Sequence, residues 1–396
     1  MPSTLTWLDA SHEEQRRMRD IVNLFTQKDS REELGIGTMR DALSDMLFPG
    51  TSTLLTRARY LFFIPWCYQF GAMHATDAEG GRRVGERAER DLISTLIGEH
   101  ETDGLLGQRV GSALRMLPST LYWGTMRRYG ILAPGSTTLN AAVTADIERR
   151  HRDPESDTEL GGWLPSLPPV PRDFPKTSAG GFELTLPEAE LLAHRIRLGA
   201  EGSLLAHLVD DRPGDNRAPW LDPASHRAPE SVQAGLEQAR LFSFAVHGAA
   251  LLYNLELAKA YTEAGYTRID VSVDTYEARY ERWLADVPKS GLDAWDIEDF
   301  FALVLRENPR ISTRSRMFLR DWVGLTLQGD QQRAADRVRL HERQHKQGQS
   351  RFRNPKLLEV WGGASGDGEI VFRWSQVRRV LADIHHGLAR TDARTD

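Results

Sequence analysis

Apolar positions recur at helical spacing through most of the chain. In "ESVQAGLEQARLFSFAVHGAALLYNLELAKAYTEAG", Leu236, Ala239, Phe242, Ala245, Val246, Ala249, Leu252 and Leu255 hold one stripe across a stretch without proline. Three- and four-residue spacing places these side chains on one face, which predicts a single long core helix. At the N-terminus, Ser11 and Glu14 form a capping box ahead of Met18, Ile21, Val22 and Phe25. A short helix is expected from Thr38, stopped by Pro49-Gly50. Thr51 or Ser52 would then start a helix carrying Leu54, Leu55, Tyr60, Leu61 and Phe62. The same spacing predicts helices near 82–99, 103–116, 119–129, 138–150, 186–198, 202–209, 274–286, 294–306, 312–326, 331–347 and 375–388. "GEIVFRW", 368–374, follows the turn-rich "GGASGDG" and is the best candidate for a strand.

Residues 151–181 break this pattern with six prolines and four glycines. Proline lacks an amide donor and restricts the residue before it, so regular structure is not expected. Trp163, Leu164, Leu167 and Phe174 are anchors that favour a packed strap over a free tether. The expected fold is therefore mainly α and two-lobed. A helical lobe at 1–150 and the strap at 151–181 precede a second helical lobe at 182–396, which carries a basic segment at 333–356.

Composition changes this picture little. The 396 residues are 40% hydrophobic and 27% charged, as in a soluble globular protein. Fifty basic against 56 acidic residues give a net charge of −6, so a nucleic-acid surface would have to be a local patch. The single cysteine, Cys67, lies in the apolar run "LFFIPWCYQF" and reads as buried filler. No basic leader precedes an apolar stretch, and the run from Leu61 to Met73 is short against the roughly 20 residues of a membrane span. A cytoplasmic protein without a membrane segment is expected. "GIGTMRD" lacks the third glycine of a dinucleotide fingerprint and there is no P-loop, so no cofactor is expected. The oligomeric state is not legible.

One string suggests catalysis. His341-Glu342-Arg343-Gln344-His345 fits H-E-x-x-H, in which two imidazoles one turn apart hold zinc and the glutamate acts as base. Its surroundings are poor for that role. Arg343 fills an interior position, Lys346 follows, and the third ligand of the extended pattern falls on Arg351. Ala334, Val338, His341 and His345 also share one helix face, so both histidines read as packing residues. Elsewhere, "GGASGDG" misses the nucleophile elbow and reads as a turn around Ser365. The acids of "DAWDIEDFF" read as a helix start.

The charges around that string say more. Arg333, Arg337, Arg339, Arg343, Lys346, Arg351, Arg353 and Lys356 stand against Asp336 and Glu342 alone, a local net charge of +6. Six arginines to two lysines favour bidentate contacts to phosphate or carboxylate. Arg40, Arg57 and Arg59, beside the hydroxyls of Thr51 and Ser52, form a second candidate anion cluster. "GQRVGSALRMLPSTLYWGTMRRYGI", 107–131, has the outline of a helix-turn-helix, yet Leu121, Tyr122, Trp123 and Met126 look like core.

Two stretches, "ELGIGTMRDALSDMLFPGTSTLLTRARYLFFIPW" and "GQSRFRNPKLLEVWGGASG…FRWSQVRRVLADIHHGL", with the early "LTWLDAS", resemble an uncharacterised bacterial family, the domain of unknown function numbered 6361. The resemblance runs over nearly the whole chain. It implies a bacterial cytosolic protein whose genes neighbour helicase and phospholipase-D-like genes of phage-defence type. It brings no catalytic residues. The expected function is that of a non-catalytic accessory protein that engages nucleic acid or a defence-system protein through the 333–356 patch. A zinc-dependent hydrolase using His341, Glu342 and His345 is the alternative, and a structural scaffold the third reading.

Overall fold

The computed structural model describes residues 34–151, 161–270 and 272–390. The capping box at Ser11 and Glu14 and the stripe from Met18 to Phe25 lie outside them. The fold is mainly α, as the spacing predicts, with fourteen α-helices and no strand among the described residues. In chain order these are α1 Gly37–Leu47, α2 Tyr60–Met73, α3 Ala78–Gly98, α4 Pro118–Arg128, α5 Leu139–His151, α6 Leu186–Gly199 and α7 Leu204–Asp210. There follow α8 Glu230–Glu263, α9 Val273–Ser290, α10 Ile297–Glu307, α11 Thr313–Gln328, α12 Gln331–Lys346, α13 Pro355–Glu359 and α14 Trp374–Leu388.

Contacts divide the chain into two compact units. One takes residues up to Leu43 with Glu237–Ile370; the other takes Ser44–Leu236 with the residues from Val371 on. The expected partition at 150 and 182 followed chain order, whereas this division does not. Segments far apart in sequence are neighbours, and the 151–181 strap falls inside one unit rather than between two. The helix α8 is long and apolar enough by composition to cross a membrane, but 89% of its most apolar window is buried within the protein.

In the unit that contains α2, this helix is apolar nearly all round, and eleven of its fourteen residues are buried. It packs chiefly against α3, with α4 and α5 beside it, while α14 packs on α6 and α7. Cys67 is buried here, and burial pushes its thiol up, as expected for filler. The strap does pack: Trp163, Leu167 and Phe174 are buried, Leu164 is half-buried, and Trp66 Nε1 donates to the Pro168 carbonyl at 2.8 Å.

Two expected elements do not form, and a third starts late. Residues 103–116 make turns and one short 3-10 segment, because Gly104, Gly107 and Gly111 all sit at positive φ. Without a first helix there is no helix-turn-helix. In α4, Tyr122 and Met126 are buried, and Arg128 donates to the Gly199 carbonyl. Residues 51–59 are turns, with Thr51 Oγ1 bonded to the Phe48 carbonyl, so α2 begins only at Tyr60. The expected strand at 368–374 is absent. Phe372 and Arg373 adopt left-handed conformations, at φ 52° and 64°, which turn the chain into α14.

In the other unit, Tyr280, Trp283 and Trp322 stack in series, and Phe244 stacks on Trp283. Both indole N–H groups donate to carbonyls of α8, those of Phe244 and Ala245. Helices α11 and α12 pack as a hairpin joined by Gly329 and Asp330. Gly329, at φ 70°, ends the first helix, and Asp330 caps the second by accepting from the Arg333 amide. Asp296 likewise caps α10, accepting from the amides of Glu298 and Asp299, as expected for a helix start.

Candidate functional site

The α11–α12 hairpin positions a cleft. Its buried α12 face carries Ala334, Ala335, Val338, His341 and Glu342, so the positions between them point away from that core. The cleft is lined by Arg314 and Met317 of α11 and by Arg337, Arg343 and Gln344 of α12. Gln347 and Arg353, just beyond α12, complete the lining of an open space of about 470 Å³. Among the described residues no acidic side chain lines it.

Four arginines face one space, and their commitments differ. Arg337 is paired with Asp321 at 2.8 Å and lies over the Phe318 ring at 5.3 Å. Arg314 makes a single bond of 3.3 Å, to the Gln344 carbonyl. Arg343 and Arg353 have no side-chain hydrogen bond or ion pair among the described residues, and the Nε of Arg343 is buried without a partner. Among the described residues, three of the four guanidinium groups therefore have no carboxylate partner. Gathering like charges without a counterion costs free energy, and an anion in the cleft would remove that cost.

The remaining residues of the predicted patch go elsewhere. Arg333 stands 3.6 Å from Asp330 at the start of α12. Arg339 is ion-paired with the buried Glu256 of α8. Arg351 donates to the Tyr253 hydroxyl at 3.2 Å. Lys346 and Lys356 are absent from the lining. The eight-residue run thus resolves into a cleft holding Arg337, Arg343 and Arg353, joined by Arg314, which the sequence reading missed. Arg314 lies in α11, outside the run, and only the hairpin brings it across. Met317, Gln344 and Gln347 were missed for a different reason: uncharged residues give no signal in a search for charge.

The H-E-x-x-H residues serve the fold. His341 is fully buried and stacks on Phe318 with ring centroids 4.0 Å apart. Its Nε2 donates to the Leu34 carbonyl at 2.7 Å, and Nδ1 is buried without a partner among the described residues. Burial pushes its pKa down to about 4, and the positive charges of Arg337 and Arg314 act in the same direction. Glu342 is buried too, accepting from Ser350 Oγ at 2.5 Å and from the Arg351 amide at 2.8 Å. It therefore holds the turn that follows α12. His345 is exposed, its ring 6.1 Å from that of His341. Among the described residues no group of three or more His, Cys, Asp or Glu could hold a metal ion. Gly35, at φ 63°, approaches the His345 ring so closely that a Cβ would collide with it. Its carbonyl accepts from Ser315 Oγ at 2.5 Å.

The second candidate cluster is internal scaffolding. Arg57 clamps Asp383 with three contacts of 2.9–3.2 Å. Arg59 is buried and paired with Glu188 at 3.1 Å. Arg40 stands 3.0 Å from its neighbour Asp41 and falls in the other unit. Ser365 is buried in a turn, its amide donating to Asn254 and its hydroxyl accepting from Trp361.

A family model described as a family of unknown function (DUF6361) matches residues 2–387. No curated protein and no solved structure matches the chain.

Proposed function

We propose, for a chain that belongs to the family of unknown function DUF6361 and takes no chemistry from it, that the α11–α12 cleft binds phosphate and that the protein is a non-catalytic nucleic-acid-binding accessory. One observation carries this reading. Three guanidinium groups, those of Arg314, Arg343 and Arg353, face one cleft in a protein of net charge −6, and among the described residues they have no carboxylate partner and no acid lines that cleft. Arginine presents a planar fork of donors that matches phosphate oxygens two at a time. A bacterial cytosolic setting linked to phage defence fits such a ligand. A zinc hydrolase is not proposed, because the buried histidine and glutamate of its string are committed to the Leu34 carbonyl and the 350–351 turn.

The test is charge reversal. Arg314→Glu/Arg343→Glu should weaken binding of a single-stranded oligonucleotide, measured by fluorescence anisotropy at low salt. Each lost charge-assisted contact costs about 1.5–3 kcal/mol, so the double variant should bind at least ~100-fold more weakly. Among the described residues neither side chain has a carboxylate partner to strand, so the thermal midpoint should hold. Unchanged affinity would remove the cleft from the account. A wild-type protein that ignores nucleic acid but co-purifies with an acidic partner would transfer the cleft to protein recognition. Neither kind of binding would leave a scaffold.

A further inference from the structure

The cleft is a spot rather than a stripe. Arg339 and Arg351 are turned toward Glu256 and Tyr253 of α8, so the basic run does not continue outward as a track for a long backbone. About 470 Å³ lies within the range of small-ligand pockets, which runs from roughly 300 to 1,000 Å³. It suits one nucleotide unit, whereas the major groove of a duplex is itself about 12 Å wide. The lining is also divided in chemistry. Beside the guanidinium groups stand Gln344 and Gln347, whose amides can both donate and accept, and Met317, an apolar side chain 50% exposed. Phosphate alone has no use for an exposed thioether or for an amide acceptor. A nucleobase uses both, with an apolar face and an edge of mixed donors and acceptors.

We propose that the cleft takes a single nucleotide unit bearing a terminal phosphate, with Arg314, Arg343 and Arg353 on the phosphate and Gln344, Gln347 and Met317 on the base. This rests on the phosphate-binding reading above. The same chemistry is offered by a free nucleoside polyphosphate and by the 5′-phosphorylated end of a strand. A terminal phosphate carries more charge than an internal one, which suits three unpaired arginines better than a passing backbone.

The experiment compares four probes: an oligonucleotide with a 5′-phosphate, the same oligonucleotide with a 5′-hydroxyl, adenosine triphosphate and inorganic triphosphate. The 5′-phosphate strand should bind at least ~10-fold more tightly than the 5′-hydroxyl strand if strands are the source. Adenosine triphosphate should compete at least ~10-fold better than inorganic triphosphate in either case, each factor being one charged contact or base contact of about 1.4 kcal/mol. If the nucleotide competes while the two strands bind alike, the source is the free nucleotide. Gln344→Ala/Gln347→Gly should erase the nucleotide's advantage and leave inorganic triphosphate unaffected. Glycine suits position 347, where φ is 49°, so the variant adds no backbone strain. Inorganic triphosphate binding as well as the nucleotide overturns the base contact and leaves the phosphate site standing. No binding of any probe removes the phosphate site itself.

Discussion

Replacing Arg59 by alanine is expected to cost about 3–5 kcal/mol of folding free energy, the usual loss when one partner of a buried ion pair is removed. Arg59 is 2% exposed and Glu188 3%. The guanidinium also donates to the carbonyls of Gly181 at 2.7 Å and Ala179 at 3.2 Å, and it lies over the rings of Phe63 and Trp66. One side chain thus fastens the end of the proline-rich strap to α2 and α6. Glu188 is doubly engaged, since it also closes the capping box with Thr185 at the start of α6. Without Arg59 its carboxylate would be buried with only the cap for company. In urea denaturation the midpoint should fall at an unchanged slope, and raising the salt should not remove the difference, because a buried pair is poorly screened. A loss below about 1 kcal/mol, the worth of a surface pair, would contradict this role.

Acid should loosen the fold through His341. Its pKa is pushed down to about 4 from an ordinary value of 6.5, so the folded protein binds a proton there less readily than the unfolded chain. A depressed pKa contributes stability that is complete above pH 6.5 and is lost as the pH falls toward 4. A shift of this size corresponds to roughly 3 kcal/mol. His341→Phe should lack this part of the acid sensitivity, so the stability gap between wild type and variant should close as the pH falls from 7 to 4. Parallel stability profiles for the two proteins would show that His341 does not titrate as described. The arginines that help to hold this pKa down, Arg337 and Arg314, line the cleft. A bound anion would therefore raise it.

The helical class was legible because burial leaves a repeating signature. The stripe from Leu236 to Leu255 became the 34-residue α8, and Pro187 sits in the first turn of α6, as its fixed φ favours. The strap's anchors were legible for the same reason, being large apolar residues in a segment otherwise unsuited to a core. What spacing could not supply was partnership over long distances. Arg57 and Arg59 look like an open pair in sequence, yet their carboxylates are Asp383 and Glu188. The H-E-x-x-H spacing was real, but the atom that receives His341 is a carbonyl at position 34. The basic run was likewise real but over-counted, since Arg339 and Arg351 are held at α8 and Arg314 enters from α11. The helix expected at 103–116 failed on three glycines in left-handed conformations, which a right-handed helix does not hold. The partition at 150 and 182 assumed that neighbours in sequence share a unit, whereas α14 packs with α6 and α7.

The central claim is that phosphate enters the α11–α12 cleft, and the salt dependence of single-strand binding measures it most directly. Each phosphate neutralised releases about 0.7 counterions from a single strand, so one phosphate held in the cleft predicts a slope of about −0.7 for log K against log salt. In Arg314→Glu/Arg343→Glu the slope should shrink to near zero, because the two carboxylates introduced offset the arginine that remains. A wild-type slope near zero, or one that the double variant leaves unchanged, would contradict the claim.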